Sequence, residues 1–317
     1  MCQNTDPCKV IISLNPTAGP TPVEGEIERL LAILDRRGFE PEVLTNLDEV
    51  AIEANRMHAE GTLRALVSVG GDGTVAELVN RTGPGVPITI LPTGNENLLA
   101  RYLGLRRSAD ALAETIATGQ LARFDAGRAA GRLFVLMMSC GFDAEVVRRF
   151  QQRRTGHAGS RAYLRPILQT LAHYEYPKIL IYCDDASEAR QPTDAVPAEA
   201  GWMFTFNLPC YGGGLRFAPD ADGTDGLLDV CMFRRGSTWH GLRYLAALLV
   251  RRHRRLADCR VFRTGRMRVE ADDRTPYQLD GDFAGFLPVD VDVVPGRLTF
   301  LLPPRREERE DVSVGRK

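Results

Sequence analysis

The chain has 317 residues, 44% hydrophobic and 26% charged, with 40 basic and 41 acidic side chains for a formal net charge of −1. That length exceeds one typical domain and the apolar share is enough for a sizeable core, so two domains are expected. A net charge near zero removes any whole-chain argument for nucleic-acid binding and leaves only local basic clusters to consider.

Lys9 to Leu14 reads as a first strand, and its apolar run Val10-Ile11-Ile12 is too short for a signal-peptide core. Ile27, Leu30, Leu31 and Leu34 recur at helical spacing, Glu42 to Thr45 is a short strand, and Val50 to His58 is helical again. Alternation of this kind implies a parallel sheet. No stretch reaches the ~20 apolar residues that span a bilayer. Cys2, Cys8, Cys140, Cys183, Cys210, Cys231 and Cys259 form no Cys-x-x-Cys pair and have no histidine at zinc-ligand spacing, which fits a reduced, cytosolic protein.

The apolar run Ala65 to Val69 breaks into Gly70-Gly71-Asp72-Gly73-Thr74 and is followed by the helical stretch Val75 to Asn80. Glycines let backbone N–H groups approach a bulky anion, and the next helix adds partial positive charge there. Thr74 and Glu77 stand three apart, as a capping box requires, which predicts a helix starting immediately after the loop. A carboxylate among phosphate-binding amides would repel its ligand unless a cation or a transferable proton intervened, so Asp72 suggests a metal-nucleotide site. The same letters also make an ordinary turn. A second unit follows: the strand Ile88 to Leu91, the loop Pro92-Thr93-Gly94-Asn95-Glu96-Asn97, and a helix from Leu98 to Leu103 closed by Gly104. In an open α/β sheet such loops gather at the carboxyl edge of the strands, where ligands bind.

After a helix over Ala109 to Ala117 the pattern changes. Arg132 to Ser139, Lys178 to Cys183, Trp202 to Asn207, Leu227 to Phe233, Met267 to Glu270 and Val289 to Val293 read as strands, so the second half is predicted to be β-rich. Helices interrupt at Asp143 to Gln151, Ala162 to Ala172 and Trp239 to Val250. Asp184 to Gly201 reads as an exposed loop and Pro303 to Lys317 as a frayed charged tail.

With these residues in place, the chain resembles the diacylglycerol kinase catalytic-domain family, which includes bacterial lipid kinases and the sphingosine and ceramide kinases. The matching stretches are Asn15-Pro16-Thr17-Ala18-Gly19, Gly70 to Asn80, Leu91 to Ala100, Asp125-Ala126-Gly127, Gly141-Phe142-Asp143-Ala144, Ala218-Pro219-Asp220 to Leu228-Asp229, and Leu279-Asp280-Gly281-Asp282. The resemblance implies an ATP-binding α/β domain with a parallel sheet over residues 1–120, a β-sandwich-like lipid-substrate domain over 121–303, and a flexible tail over 304–317. It further implies an active site in the cleft and an ATP-dependent kinase of a diacylglycerol-like or sphingoid-like hydroxyl.

By the same resemblance, Asn15, Thr45, Gly70, Gly71, Asp72, Gly73, Thr74, Val75 and Ala76 would hold ATP, with Asn95 and Asn97 on the second loop. Glu77 and Asn80 would support the first loop, and Asp72 would organise the catalytic Mg2+ and the phosphates. Asp282 sits where the family places a catalytic glutamate and would take the proton of the lipid hydroxyl. Locally, Asp280-Gly281 also reads as a tight hairpin turn. Several bacterial relatives carry an auxiliary magnesium on an acidic turn, a role that would fall to Asp222, Asp225 and the Leu227 carbonyl; an unliganded solvated turn is the alternative.

Two departures stand out. The second loop reads Gly94-Asn95-Glu96-Asn97-Leu98-Leu99-Ala100, keeping the family's asparagine at Asn97 but not its threonine or aspartate, and Leu98 leans toward the sphingosine kinases. Asp282 replaces glutamate and shortens the arm by one methylene. NAD kinase, which shares the first loop and the two-domain plan, and a catalytically weak lipid- or nucleotide-binding protein are the competing readings. The expected partners are a lipid substrate and, reversibly, a membrane surface, with no nucleic acid; a homodimer stays open. The segment from Val146 to Tyr174 has no acidic residue and carries Arg148, Arg149, Arg153, Arg154, Arg161 and Arg165 among apolar side chains, which suggests membrane docking or a solvated helix face. Arg251 to Arg255 is a second basic run that could serve instead.

Overall fold

Strands that are apolar at consecutive positions need cover on both faces, and here helices supply it. The structure is a computed structural model that describes residues 7–14, 23–153, 166–167, 169–170, 174–183, 197–271 and 274–304. Its first half runs β1 (Lys9–Leu14), α1 (Glu24–Arg36), β2 (Glu40–Leu44), α2 (Leu47–Ala59), β3 (Leu63–Gly70), α3 (Asp72–Arg81), β4 (Pro87–Pro92), α4 (Leu98–Tyr102) and α5 (Ala109–Thr118). The strands pair in parallel in the order β2-β1-β3-β4. Val10 and Ile12 of β1 pack with Leu30 and Leu34 of α1 and Leu112 and Ile116 of α5. Ile11 turns the opposite way, into the core that holds Ala54 of α2 and Leu78 of α3. Because the four strands are parallel, Leu14, Leu44, Gly70 and Pro92 end at one edge of the sheet.

The second half runs β5 (Gln120–Ala129), β6 (Arg132–Phe134), β7 (Met137–Gly141), α6 (Phe142–Arg153), β8 (Ile179–Cys183), β9 (Ala198–Ala200), β10 (Trp202–Phe206), β11 (Leu228–Phe233), α7 (Thr238–Leu249), β12 (Cys259–Thr264), β13 (Arg266–Ala271), β14 (Pro276–Leu279), β15 (Asp282–Phe286) and β16 (Val289–Leu302). An antiparallel sheet of order β12-β11-β10-β7-β14-β15 packs against the β13 and β16 side of the other sheet. Met138, Met203, Val230, Met267 and Val291 fill the space between them. The opposite face of that antiparallel sheet carries Phe204, Phe206 and Phe233 into the larger core shared with the first half. The last strand crosses between the halves. It pairs with β13 through Val289 to Asp292, and its end, Thr299 and Phe300, lies parallel to β4.

Four sequence expectations change. Helix α3 begins at Asp72 with Gly71 in the capping position, so Thr74 is not a cap; it is buried inside the first turn, and Glu77 pairs with Arg81 at 3.0 Å. The run Arg132 to Ser139 is two strands, β6 and β7, separated at Val135-Leu136, whose amides turn toward Asp280. Ala198 to Ala200, assigned to a loop, pairs with β8. The strand begun at Val289 continues through Pro295-Gly296 to Leu302, with a shift of register between Val294 and Leu298. The helix expected over Ala162 to Ala172, the loop Asp184 to Gly201 and the charged tail lie wholly or largely outside the described residues.

Candidate active site

Two loops meet at the carboxyl edge of β3 and β4. The Thr93 amide donates to the Gly70 carbonyl at 3.0 Å, and a Cβ on Gly94 would stand 2.7 Å from the Gly71 Cα, so glycine alone permits this approach. Asn97, at φ 49°, closes the second loop: its amide donates to the Gly94 carbonyl at 2.6 Å and its oxygen accepts from the Gly94 amide at 2.9 Å. The Asp72 carboxylate reaches across, accepting from the Leu98 and Leu99 amides at 2.9 Å each. It thereby satisfies the first amides of α4, whose own Asn97 makes no such bond. Burial pushes the Asp72 carboxyl up, against the pull of those amides. Space opens around Gly73, where nothing lies within 4 Å of the position a Cβ would take. The loop therefore keeps an open backbone cradle beside the amino end of α3, which fits an ATP phosphate.

A hairpin faces these loops. Asp280 (φ 51°) and Gly281 (φ 89°) form the two-residue turn between β14 and β15, the backbone that favours such residues. The Asp280 carboxylate accepts from the amides of Val135, Leu136 and Met137 at 2.7, 2.8 and 3.0 Å. Burial raises its pKa to about 6 despite those three donors, and the Asp72 charge adds to the rise. Beyond the turn, Asp282 is fixed by Gln151 of α6, whose amide donates to it at 2.6 Å while the Gln151 oxygen accepts from the Phe283 amide at 3.0 Å. Arg132 lies 3.8 Å from both Glu77 and Asp282 and so places one cation between the two carboxylates.

Both features open into one cavity of about 640 Å3. One end is lined by Gly71, Asp72, Gly73, Asn97, Asp280 and Asp282; the rest is largely apolar, with Phe142 and Phe150 of α6, Trp202 and Phe204 of β10, and Tyr244 and Leu248 of α7. Asp143 marks the transition. It accepts from the hydroxyls of Ser139 and Tyr211 at 2.5 Å each and from Gln278 at 3.3 Å, and burial pushes its carboxyl up. Gln278 in turn accepts from the Gly281 amide at 2.7 Å, tying this cluster to the hairpin.

The family model of the diacylglycerol kinase catalytic domain matches residues 9–129, and that of the YegS C-terminal NAD kinase beta sandwich-like domain matches residues 136–302. The chain belongs to the diacylglycerol kinase family of lipid kinases. It is similar to a diacylglycerol kinase of Mycobacterium tuberculosis, 29% identical over 93% of this chain and 95% of the relative, and to one of Bacillus subtilis, 24% identical over 95% and 98%. Among solved structures, a diacylglycerol kinase from Bacillus anthracis superposes with a TM-score of 0.67 at 18% identity, covering 94% of this chain and 97% of that one. An NAD kinase from Archaeoglobus fulgidus with ATP superposes with a TM-score of 0.51 at 13% identity, covering 94% of each chain. These structural likenesses establish the shared α/β plus β-sandwich-like fold.

Within this lipid kinase, Gly71, Asp72, Gly73, Asn95, Asn97 and Asp282 converge on the cavity. Gly70 ends β3, while Thr74, Val75 and Ala76 are buried in the first turns of α3. Thr45 follows β2 at the same sheet edge and is exposed, and Asn15 lies outside the described residues. Asn80, expected to support the first loop, clamps β6 to α3: it accepts from the Leu133 amide at 2.8 Å and donates to the Leu133 carbonyl at 3.0 Å. Asp143, Asp280 and Gln278 were missed as site residues, although Gly141-Phe142-Asp143-Ala144 and Leu279-Asp280 lie in the stretches that carry the resemblance.

On the acidic turn, both carboxylates expected to hold magnesium already accept from groups of the turn itself. Asp222 accepts from the Thr224 amide and hydroxyl at 3.1 and 2.7 Å; Asp225 accepts from the Leu227 amide at 3.0 Å and lies 3.3 Å from Arg263. Among the described residues no group of three or more His, Cys, Asp or Glu side chains is placed to hold a metal ion. The basic segment also changes character. Glu145, buried just before it, pairs with Arg148 at 2.7 Å and Arg149 at 2.5 Å, and Phe150 lines the cavity. Arg154, Arg161 and Arg165 lie outside the described residues, as does the Arg153 side chain. Among the described residues no helix is long and apolar enough to cross a membrane.

Proposed function

We propose that this kinase transfers the γ-phosphoryl group of ATP to the hydroxyl of a diacylglycerol-like lipid. The observation that carries the reading is the single cavity that joins the glycine loops and Asp282 to a largely apolar, aromatic wall. Phosphoryl transfer asks mainly for positioning and charge stabilisation. ATP lies at the sheet edge, with Thr45 at one end and its phosphates over Gly71 to Thr74 and beside Asn95 and Asn97. Mg2+ supplies charge neutralisation when it arrives bound to the nucleotide. The acyl chains occupy the space between α6 and α7, which leaves the hydroxyl facing Asp282. Asp282 takes the hydroxyl proton as the oxygen bonds to the γ-phosphorus, the bond to ADP breaks, and ADP leaves with that electron pair.

Diacylglycerol stands first because the similar proteins of Mycobacterium tuberculosis and Bacillus subtilis carry that name; a sphingoid alcohol would fill the same walls. An NAD acceptor fits poorly, since its phosphates would exchange water for the faces of Phe142, Phe150 and Trp202. The test is transfer of labelled γ-phosphate from ATP to diacylglycerol, to a sphingoid base, and to NAD in parallel. Label in the first two fractions supports lipid phosphorylation and ranks the acceptors. Label in NAD alone overturns the reading.

A further inference from the structure

Helix α7 presents apolar side chains in two directions. Inward, Tyr244 and Leu248 are 2% and 5% exposed and line the cavity. Outward, Trp239 is 81%, Leu249 66% and Val250 64% exposed. Leu242 and Leu245 belong to both sides, since they line the cavity while remaining 47% and 43% exposed. They therefore form the rim where the cavity meets solvent. Trp239, Leu242, Leu245 and Leu249 follow one another at helical spacing, so their exposure is a continuous stripe and not scattered single residues.

Among the described residues the acidic groups beside that stripe are matched, Asp258 with Arg243 and Asp220 with Arg254, and the remaining charge is positive. No acidic residue occurs between Thr238 and Ala257. His253 is buried against the Phe217 carbonyl at 2.8 Å, and Arg254 pairs with Asp220 at 2.6 Å. Arg251, Arg252 and Arg255 are exposed and make no ion pair among the described residues. A symmetric contact between two copies through this face would bring their arginines together, which Coulomb repulsion disfavours. An anionic lipid surface meets both the apolar stripe and the positive end.

We propose that α7 docks the protein on an anionic bilayer. Trp239, Leu249 and Val250 enter the headgroup boundary, and Arg251, Arg252 and Arg255 lie against anionic headgroups. The rim at Leu242 and Leu245 then faces the lipid layer, so an acceptor passes into the cavity without crossing water. The purpose of the docking rests on the lipid-kinase reading, but the docking itself is measured without ATP.

The test is co-sedimentation with phosphatidylcholine vesicles, with and without phosphatidylglycerol, at low and high salt. The protein should bind the anionic vesicles and release as salt rises. Trp239→Ala with Leu249→Ala should weaken partitioning by roughly tenfold or more. Arg251→Gln with Arg252→Gln and Arg255→Gln should weaken it comparably and remove most of the salt dependence. Both variants should phosphorylate a short-chain diacylglycerol dispersed in water at the unaltered protein's rate, since neither change touches the cavity. Equal vesicle binding by all three proteins overturns the proposal. So does a concentration-dependent dimer in sedimentation velocity that Trp239→Ala with Leu249→Ala dissolves, because the stripe would then be covered by a second copy. Intact vesicle binding without phosphorylation of any lipid would instead overturn the substrate reading alone.

Discussion

Asp72 opens α3 and Leu99 lies in the first turn of α4, 27 positions apart, and the Asp72 Oδ1 accepts the Leu99 amide at 2.9 Å. With the matching bond to Leu98, one carboxylate holds the start of α4 against the start of α3. This changes the expectation for its removal. The sequence reading places Asp72 in the glycine loop, as a carboxylate that would organise Mg2+ and phosphates. Here Asp72→Ala leaves two amides of α4 without their acceptor and should cost about 1 to 3 kcal/mol of stability. Phosphoryl transfer should fall at least a hundredfold, since Asn97 and Gly94 lose their fixed position over Gly71. Thermal unfolding beside ATP turnover checks both; unchanged stability would show that the cap is not holding α4.

Asp282 should behave as a positioned base. Asp282→Asn should lower kcat by about 10²- to 10⁴-fold with ATP affinity little changed, while Asp282→Glu should retain or raise activity by restoring the longer arm. Gln151 touches Asp282 but lies outside the cavity lining, so its role is positioning. Gln151→Leu should reduce kcat roughly tenfold and leave KM for the lipid near its original value, because lost orientation acts on the chemical step. A pure rise in KM would place Gln151 in substrate binding instead.

Asp280 gives the protein a defined pH dependence. Its carboxyl rises from 3.8 to about 6 in the fold, so the native state holds this proton more tightly than the unfolded chain. The stabilising contribution is complete below about pH 3.8 and is lost as pH rises through about 6. Asp280→Asn does not titrate, and it also turns an amide toward the Val135 to Met137 donors. The stability of the unaltered protein relative to this variant should therefore shrink by about 2 kcal/mol between pH 4 and 7. Denaturant melts across that range measure it, and a flat difference would mean that Asp280 ionises in the fold as it does in water.

The inner strands and covering helices of the first half were legible because β3 and β4 are apolar along nearly their whole length and the helices between keep their spacing. β5 and β12 were not. Arginines break the apolar run of each, and β5 is held by pairing with β16, more than 160 positions away, as Ala129 opposite Val291 shows. Pro295-Gly296 looks like the end of a strand, yet β16 passes through it with a shifted register while the Gly296 amide donates to Asp125 at 2.7 Å. At the site, the glycine loops announce their own chemistry, whereas Asp280 looks locally like a turn residue and becomes an anchor only through the Val135 to Met137 amides about 144 positions away. The cavity walls left no periodic signal at all, since Phe142, Trp202 and Tyr244 come from three separate elements.

Those walls make the last prediction. Leu248 is 5% exposed and lines the cavity from α7, as Phe142 and Phe150 do from α6. Leu248→Phe puts a ring into space that the proposed acyl chain fills, so kcat/KM should fall about tenfold or more for a long-chain diacylglycerol. A short-chain diacylglycerol ends before that point and should lose less than twofold, with ATP affinity unaffected. Overpacking that merely disturbed the fold would depress both substrates together and lower the unfolding temperature, so the ratio between chain lengths is the informative quantity. Leu248→Ala should shift that ratio the other way while costing about 2 to 3 kcal/mol through the cavity it leaves. An unchanged ratio in both variants would place the acyl chains somewhere other than between α6 and α7.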